Sequence, residues 1–195
     1  VAIISSAGLS IQNKQEPFNS KIKGGDCSFR IIPSNINMDE LSESHRSKTF
    51  DHSGIRSNPS TAMPIPQLDD LVSEGFIGSI SNRHFSFMGS IINTRELIHD
   101  SIPKIISMLT EDKVDIVLFI PIWPMCPQTV GLIQKTCEEK NILTTSISII
   151  DEITDMLKVK RYFSVPYALG YPLGDIDNYS NQKEVCKSAL NLISN

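Results

Sequence analysis

One cysteine, Cys126, stands between a strand-like and a helix-like stretch of the sequence, where its thiol could do chemistry. Residues 114–122 are apolar and rich in β-branched side chains, which is typical of a strand buried on both faces. Residues 128–140 carry apolar side chains at helical spacing, and Pro127 suits a first helical turn. The free N–H groups and the dipole of a helix N-terminus stabilise a thiolate. The sequence therefore predicts a nucleophilic or redox-active Cys126 at the carboxyl end of a central strand.

The chain has four cysteines, and their wide spacing forms no Cys-x-x-Cys pair. We therefore expect neither a disulfide framework nor a zinc site, and we predict no bound metal and reduced thiols. Cys137 and Cys186 fall on the inward faces of expected helices, so they are predicted to be core residues. A small buried core residue is also the alternative interpretation of Cys126. The role of Cys27, in a loop beside Arg30, stays open.

A few basic side chains could bind or protonate a substrate. Arg30 could hold a carboxylate through two parallel hydrogen bonds, or it could form a surface ion pair. His45, His52 and His84 lie in loop-like motifs, where acid–base chemistry is one role and a structural contact is the other. For each histidine alone a structural role is the better expectation, whereas convergence of the set on one site would favour catalysis.

The elements that must position these residues alternate between strand and helix. Residues 1–5 resemble a buried strand, and the small-residue turn at Gly8 could hold an anion or simply end the strand. Gly170 and Gly174 mark a loop near the end of the chain. Further strands are predicted at residues 76–80, 142–150 and 161–166, and helices at residues 66–75, 97–109, 151–156 and 181–193. This order predicts an α/β three-layer sandwich with a mainly parallel, doubly wound (Rossmann-like) sheet.

Residues 11–63 differ from the rest of the chain because they are rich in Ser, Asn, Asp, Gly and Pro. A structureless loop of this length is rare in a compact domain unless it is functional, and disorder is the alternative. We expect a single α/β domain over residues 1–195, in which residues 11–63 form a loop-rich insertion over the carboxyl edge of the sheet.

Composition narrows the class of protein. The chain has 195 residues, of which 40% are hydrophobic, enough to bury a core in one domain. Its net charge is −4 and no lysine or arginine cluster follows a helix face, so we expect no nucleic-acid partner. No apolar run reaches the roughly 18 residues of a membrane span, and we expect a cytoplasmic protein without a membrane partner. Because the chain begins with a strand-like segment at Val1, we also expect residues before it.

Several short motifs occur in a fixed order along the chain. Residues 24–33 read Gly-Gly-Asp-Cys-Ser-Phe-Arg-Ile-Ile-Pro, residues 82–89 read Asn-Arg-His-Phe-Ser-Phe-Met-Gly, and residues 123–126 read Trp-Pro-Met-Cys. The last is followed at residues 129–132 by Thr-Val-Gly-Leu. In this order and spacing, the motifs resemble component B of the glycine, sarcosine and betaine reductases and the matching subunit of D-proline reductase.

The resemblance implies a catalytic pair of positions, Trp123 and Cys126. In that family a selenocysteine attacks the activated carbon of the substrate, and a nearby cysteine, matched here by Cys126, resolves the product. The selenocysteine position is occupied by Trp123, whose side chain has no such nucleophilic or redox role. Two explanations stay open: a UGA codon for selenocysteine is read here as tryptophan, or the chain is a homologue that has lost selenocysteine and uses Trp123 as an aromatic pocket wall.

The resemblance further implies reductive C–N bond cleavage of a small amino-acid-like substrate. It implies no cofactor bound by this chain, electrons from a thioredoxin-like donor, and a pyruvoyl group only on a partner subunit. Other reductase subunits are the expected partners, in an oligomer. The expected substrate-binding residues are Gly8, Arg30, His52, His84, Thr129, Gly170 and Gly174. The alternative is a diverged, non-redox homologue that binds a small metabolite or a partner protein in the same pocket.

Overall fold

The structure is a computed structural model that describes residues 1–123 and 126–194, with the backbone alone for residues 126–128. Its strands are β1 (Ala2–Ser5), β2 (Leu9–Ile11), β3 (Phe29–Pro33), β4 (Leu41–Glu43), β5 (Arg83–Phe87), β6 (Ile116–Ile120), β7 (Leu143–Ser148) and β8 (Tyr162–Ser164). Its helices are α1 (Ser53–Ser57), α2 (Ile65–Ser73), α3 (Ile102–Glu111), α4 (Cys126–Glu139), α5 (Asp151–Met156) and α6 (Tyr179–Asn191). A π-helical turn, Leu97–Ser101, leads into α3.

A six-stranded sheet in the order β3-β5-β1-β6-β7-β8 forms the centre of the molecule. Every pair in it is parallel except β3 with β5, which is antiparallel. Counted among themselves in chain order, the five parallel strands follow the order 2-1-3-4-5, which is one of the common doubly wound orders. Its switch point lies between β1 and β6, and ligands of open α/β sheets bind at the carboxyl ends of strands at such a point.

Helices cover both faces of this sheet, because successive strand residues point to opposite sides and both sets are apolar. On one face Ile3 and Leu118 pack in a core with residues of α2 and α6. On the other face Ile4 and Phe119 pack in a core with residues of α3 and α4. The predicted α/β sandwich with a mainly parallel sheet is therefore confirmed.

A buried amide contact joins the two helices of the first face. Gln67 of α2 donates to the Gln182 side-chain oxygen of α6 over 2.7 Å. The Gln182 amide in turn donates to the carbonyl oxygen of Asp175 over 2.7 Å. The chain that leads from the loop of residues 167–174 into α6 is thereby fixed to the core.

The prediction of a strand at residues 76–80 is wrong. These residues form bends after α2, and Gly75, with a φ of +72°, turns the chain there. β1 is already paired on one side by β5 and on the other by β6, so it has no free edge for another strand. Residues 76–80 instead meet the chain start, where the Val1 ammonium donates to the carbonyl oxygen of Ser79 over 2.8 Å.

Residues 11–63 contain more regular structure than their composition indicates. β3 joins the main sheet antiparallel to β5, with Ile31 opposite Phe85. β4 pairs with β2 in a small separate sheet, with Ser42 opposite Ser10. The β2–β4 pairing ends at Glu43, so it fixes the chain directly before residues 44–52.

Candidate functional site

The turn after β1 and the loop after β6 are joined at the switch point of the sheet. The backbone N–H of Ser6 donates to the carbonyl oxygen of Ile120 over 3.1 Å. The hydroxyl oxygen of Ser6 accepts a hydrogen bond from the backbone N–H of Ile122, also over 3.1 Å. Trp123 is the next residue, so the main chain that carries it is held against the carboxyl end of β1.

An aromatic stack extends from Trp123 to the loop of residues 44–52. The Trp123 ring lies 6.0 Å from the ring of Phe50 at an interplanar angle of 30°. Phe50 in turn stacks on His52 with centroids 4.1 Å apart, and His45 meets the edge of Phe50 at 5.0 Å. The loop-rich segment thus contacts Trp123, directly after the carboxyl end of β6.

Gly8 and Gly170 allow this loop to approach the sheet. The φ of Gly8 is +70°, and a Cβ there would lie 2.9 Å from the backbone nitrogen of His45. The φ of Gly170 is +93°, and a Cβ would lie 2.5 Å from the carbonyl oxygen of Asp51. Only glycine combines these dihedral angles with such close contacts. The Gly170 N–H also donates to the carbonyl oxygen of Ile122 over 3.2 Å. The loop of residues 44–52 therefore meets the turn after β1, and the loop of residues 167–174 joins it to the loop after β6.

A buried carboxylate, that of Glu43, accepts hydrogen bonds from the loop of residues 44–52 and from α1. Its side chain is fully buried and accepts hydrogen bonds from His52 Nδ1 at 2.9 Å, from Arg56 Nε at 3.0 Å, and from the backbone N–H of His45. His52 Nε2 contacts the carbonyl oxygen of Ser47 at 2.7 Å. Both ring nitrogens of His52 therefore face hydrogen-bond acceptors.

An open cleft of about 450 Å³ lies over this carboxylate. The cleft is lined by polar and basic side chains together with one aromatic ring, namely Phe18, Ser20, residues 44–48, His52 and Arg56. Arg46, Lys48 and Arg56 supply positive charge, and Glu43 beneath them is already paired. The balance of charge favours a ligand with a carboxylate.

A hydrogen bond from Tyr171 connects the last loop to the rim of this cleft. The Tyr171 hydroxyl donates to Asp51 over 2.6 Å, and the backbone N–H of Ser53 donates to the same carboxylate over 2.9 Å. The hydrogen bonds from Tyr171 and Ser53 lower the pKa of Asp51 to about 2. Asp51 is therefore ionised at neutral pH, and the contact between the two loops is charge-assisted.

Cys126 is the first residue of α4, which follows the loop after β6. Its side chain lies outside the described part of the structure, so the expected low pKa of its thiol stays a prediction. Thr129, in the first turn of α4, is fully buried. Its hydroxyl has no hydrogen-bond partner among the described residues.

Three of the expected substrate-binding residues, His84, Arg30 and Gly174, do not line the cleft, although Arg30 packs on Phe18, which does. His84 lies within β5, where its Nδ1 accepts a hydrogen bond from the backbone N–H of Ile3 over 3.0 Å. Arg30 donates to the carbonyl oxygen of Glu16 over 2.7 Å, and its guanidinium lies 4.2 Å from the ring centroid of Phe18. Gly174 packs beside α6, where a Cβ would lie 2.9 Å from Asn181 Nδ2. Each has a structural contact that accounts for its position.

Sequence reasoning missed Glu43 and undervalued Phe50. Glu43 ends a short strand in a polar segment, and nothing in its local pattern distinguishes it from an exposed glutamate. Phe50 did carry a signal, because it is a large apolar residue in a stretch otherwise composed of polar residues. Such a residue in a long loop indicates that the loop packs against something.

Comparison with known proteins identifies one informative relative. The chain is similar to D-proline reductase subunit gamma of Acetoanaerobium sticklandii, with 26% identity over 190 residues. The similarity covers 97% of this chain and 76% of the relative. It supports a relationship with components of amino-acid reductases. No protein-family profile matches the chain, and no solved structure matches it.

No cluster of His, Cys, Asp and Glu side chains in residues 1–123 and 126–194 is arranged to hold a metal ion. Within the same part of the chain, no helix has the length and apolar character needed to cross a membrane.

Proposed function

We propose that this chain is a subunit of a selenol- or thiol-dependent amino-acid reductase that cleaves a C–N bond reductively. The observation that carries the proposal is the similarity to D-proline reductase subunit gamma over almost the whole chain. The position of Trp123, at the carboxyl end of β6 beside the switch point, supports it, because open α/β sheets place their chemistry there. The redox centre is the loop of residues 123–126.

The proposed reaction consumes two electrons and two protons. A nucleophile at position 123 attacks the carbon of the C–N bond, and the nitrogen leaves as an amine. The thiol of Cys126 then attacks the atom at position 123, which releases the reduced carbon with a proton and leaves a bond between the two side chains. A thioredoxin-like dithiol reduces that bond and is itself oxidised to a disulfide. If a partner subunit carries a pyruvoyl group, that group would supply the activation of the substrate.

We further propose that residues of this chain bind and orient the substrate. The basic cleft over Glu43 holds the carboxylate of an amino-acid-like substrate through Arg46, Lys48 and His52. Gly8 and Gly170 position the loops around it, as their short contacts to His45 and Asp51 require. Thr129 lies in the first turn of α4, next to the proposed redox loop. The complex operates in the cytoplasm with the other reductase subunits.

Trp123 favours a second candidate function. Its ring is partly buried and stacks on Phe50, so as a tryptophan it forms an aromatic wall beside the loop of residues 44–52. A homologue that keeps this ring would bind a small metabolite or a partner protein in the same place, without redox chemistry. The codon at position 123 in the genome separates the two candidates, because UGA indicates selenocysteine and UGG indicates a natural tryptophan.

Turnover of D-proline tests the proposed reaction. The chain is combined with the remaining subunits of the reductase and a dithiol, and formation of the ring-opened amine is measured. The tryptophan form should show no turnover, whereas Trp123→Cys should restore a measurable rate and Trp123→Cys with Cys126→Ser should lose it. Robust turnover by the tryptophan form would show that another group carries the reaction.

A further inference from the structure

Another cavity shares no lining residue with the cleft of residues 44–48. It has a volume of about 630 Å³ and lies between α4 and the segment that follows α5. This volume is within the range of small-ligand sites, roughly 300–1,000 Å³. Leu132, Leu157 and Val159 give it an apolar lining. The proposed reductase chemistry uses none of these residues.

The side chain of Gln134 makes this cavity unusual. Gln134 lines the cavity, is 3% exposed, and neither its amide nitrogen nor its carbonyl oxygen has a hydrogen-bond partner among the described residues. A buried amide without partners is costly, so such groups are nearly always paired in native structures. A change of its side-chain rotamer on ligand binding would bring the amide to the cavity surface. A ligand that carries both a carbonyl and an N–H would satisfy the pair.

Gly131 keeps the wall of the cavity open. It lies inside α4, where glycine is a poor helix former. Its φ is not positive, and a Cβ would only meet Leu157 at 3.8 Å, which is an ordinary contact. Neither the backbone nor the packing of the fold therefore requires a glycine here. The absent side chain leaves space at the cavity instead.

The cavity is lined by three lysines, Lys135, Lys158 and Lys160, and by two glutamates, Glu138 and Glu139, which leaves a net charge of +1. Lys135 and Lys158 are exposed and make no ion pair within the described part of the chain. The φ of Lys158 is +54°, so the turn at the end of α5 fixes its position. Glu138 is already engaged by Arg161 at 3.0 Å and by Lys160 at 3.3 Å. A carboxylate on the ligand would complement this net charge.

We propose that this cavity binds an N-acyl amino acid with an apolar side chain. The amide of such a ligand pairs with the carboxamide of Gln134, its side chain packs against Leu157 and Val159, and its carboxylate faces Lys135 and Lys158. The same chemical unit occurs as a free small molecule and as the C-terminal residue of a polypeptide. Binding here is independent of the redox state of the loop of residues 123–126.

Titration with matched ligands tests each part of the proposal. N-acetyl-L-leucine is added to the full chain, and the side-chain amide signals of Gln134 and the backbone amide signals of the residues that line the cavity are followed by NMR. Those signals should shift in a saturable way. N-acetyl-L-leucinamide lacks the carboxylate and 4-methylpentanoate lacks the amide, so each should bind about tenfold more weakly, as expected for the loss of one net hydrogen bond or more. The peptide acetyl-Ala-Ala-Leu separates the sources, because tighter binding than N-acetyl-L-leucine would identify a chain terminus as the ligand.

Variants provide the control for specificity. Gln134→Leu removes the unpaired amide without a large change in volume and should weaken N-acetyl-L-leucine binding about tenfold while the chain stays folded. Gly131→Leu fills the cavity wall and should abolish binding. Lys104→Gln, on α3, should have no effect, since Lys104 pairs with Asp100 elsewhere on the surface. Absence of a saturable shift in the parent, or equal binding by Gln134→Leu, would overturn the proposal.

Discussion

Glu43 is the residue on which the candidate cleft depends most. It is the fully buried member of a charge cluster with His52 and Arg56, and it also holds the backbone of His45. Removal of one partner from a buried charge cluster leaves the others uncompensated, which costs more than the loss of a surface ion pair. At the residue scale, the loop of residues 44–52 therefore has its conformation because one carboxylate lies beneath it.

Replacement of Glu43 tests this dependence. Glu43→Gln should lower the free energy of unfolding by about 1–3 kcal/mol, because an amide has one acceptor oxygen and no charge to receive the hydrogen bonds of His52, Arg56 and the His45 N–H. Urea unfolding measures the change. Glu40→Gln is the matched control, because Glu40 forms an exposed pair with Lys14 and should change stability by less than about 0.5 kcal/mol. Equal effects of the two substitutions would contradict the role of Glu43.

The reactivity of the cysteines is a second test at the residue scale. Burial raises the pKa of Cys137 to about 12, and it also raises the pKa of Cys186. Cys126 begins α4, where a helix N-terminus favours a thiolate. Mass-mapped iodoacetamide labelling of the folded protein at neutral pH should therefore modify Cys126 before Cys137 and Cys186. Equal or slower labelling of Cys126 would argue against a redox role.

At the element scale, the loop of residues 44–52 meets the turn after β1 and the loop of residues 167–174, because Gly8 and Gly170 permit close backbone contacts. Gly170 illustrates this, since its N–H reaches Ile122 while its missing side chain leaves room for Phe50 and Asp51. The Gly/Pro composition of residues 167–174 predicted a loop from the sequence. Its contact with residues 50–51 was not predictable, because the partner lies more than a hundred positions earlier in a segment without periodicity.

Replacement of Gly170 should disrupt this convergence. Gly170→Ala places a Cβ 2.5 Å from Asp51 and 2.8 Å from Phe50, in a left-handed backbone conformation. We expect a loss of about 1–3 kcal/mol in stability. The fluorescence of Trp123, which is the chain's one tryptophan and stacks on Phe50, should also change. Gly78→Ala is the control, because a Cβ at Gly78 meets nothing within 4 Å. Unchanged fluorescence in Gly170→Ala would contradict the loop arrangement.

Several elements were predictable from the sequence because they have strong local patterns. The apolar run that contains β6 and the helical stripe of α4 follow directly from residue spacing, as does the buried strand β1. β3 was hidden in a polar segment, since as an edge strand it needs only a few apolar residues. β5 was not recognised because it alternates polar residues such as His84 and Ser86 with phenylalanines, and tertiary contacts decide its burial.

At the scale of the whole molecule, two buried histidines couple stability to pH. Burial lowers the pKa of His84 to about 3, and burial with the nearby His52 and Arg46 lowers the pKa of His45 to about 3. An unfolded histidine has a pKa of about 6.5. Below that value the unfolded chain binds protons that the folded chain excludes, so stability falls as the pH falls from about 6.5 towards 3.

Unfolding at pH 7 and at pH 5 measures this coupling. The free energy of unfolding should fall by up to about 2 kcal/mol for each buried histidine over that interval. His84→Asn keeps an acceptor for the N–H of Ile3 and removes one titrating group, so its loss of stability should be about half that of the parent. Protonation of Asp51, whose pKa is about 2, changes stability only at lower pH. A parent-like pH dependence in His84→Asn would contradict the assignment.

The proposed reductase activity requires that positions 123 and 126 form a redox pair. The most direct measurement is a free-thiol titration of Trp123→Cys before and after mild oxidation, with the parent chain alongside. Two cysteines at this spacing at a helix start form a disulfide readily. The account predicts that the introduced thiol and that of Cys126 become unreactive together on oxidation and return on reduction, while the parent's thiols do not change. Persistence of both thiols in the oxidised variant would contradict a redox centre at residues 123–126.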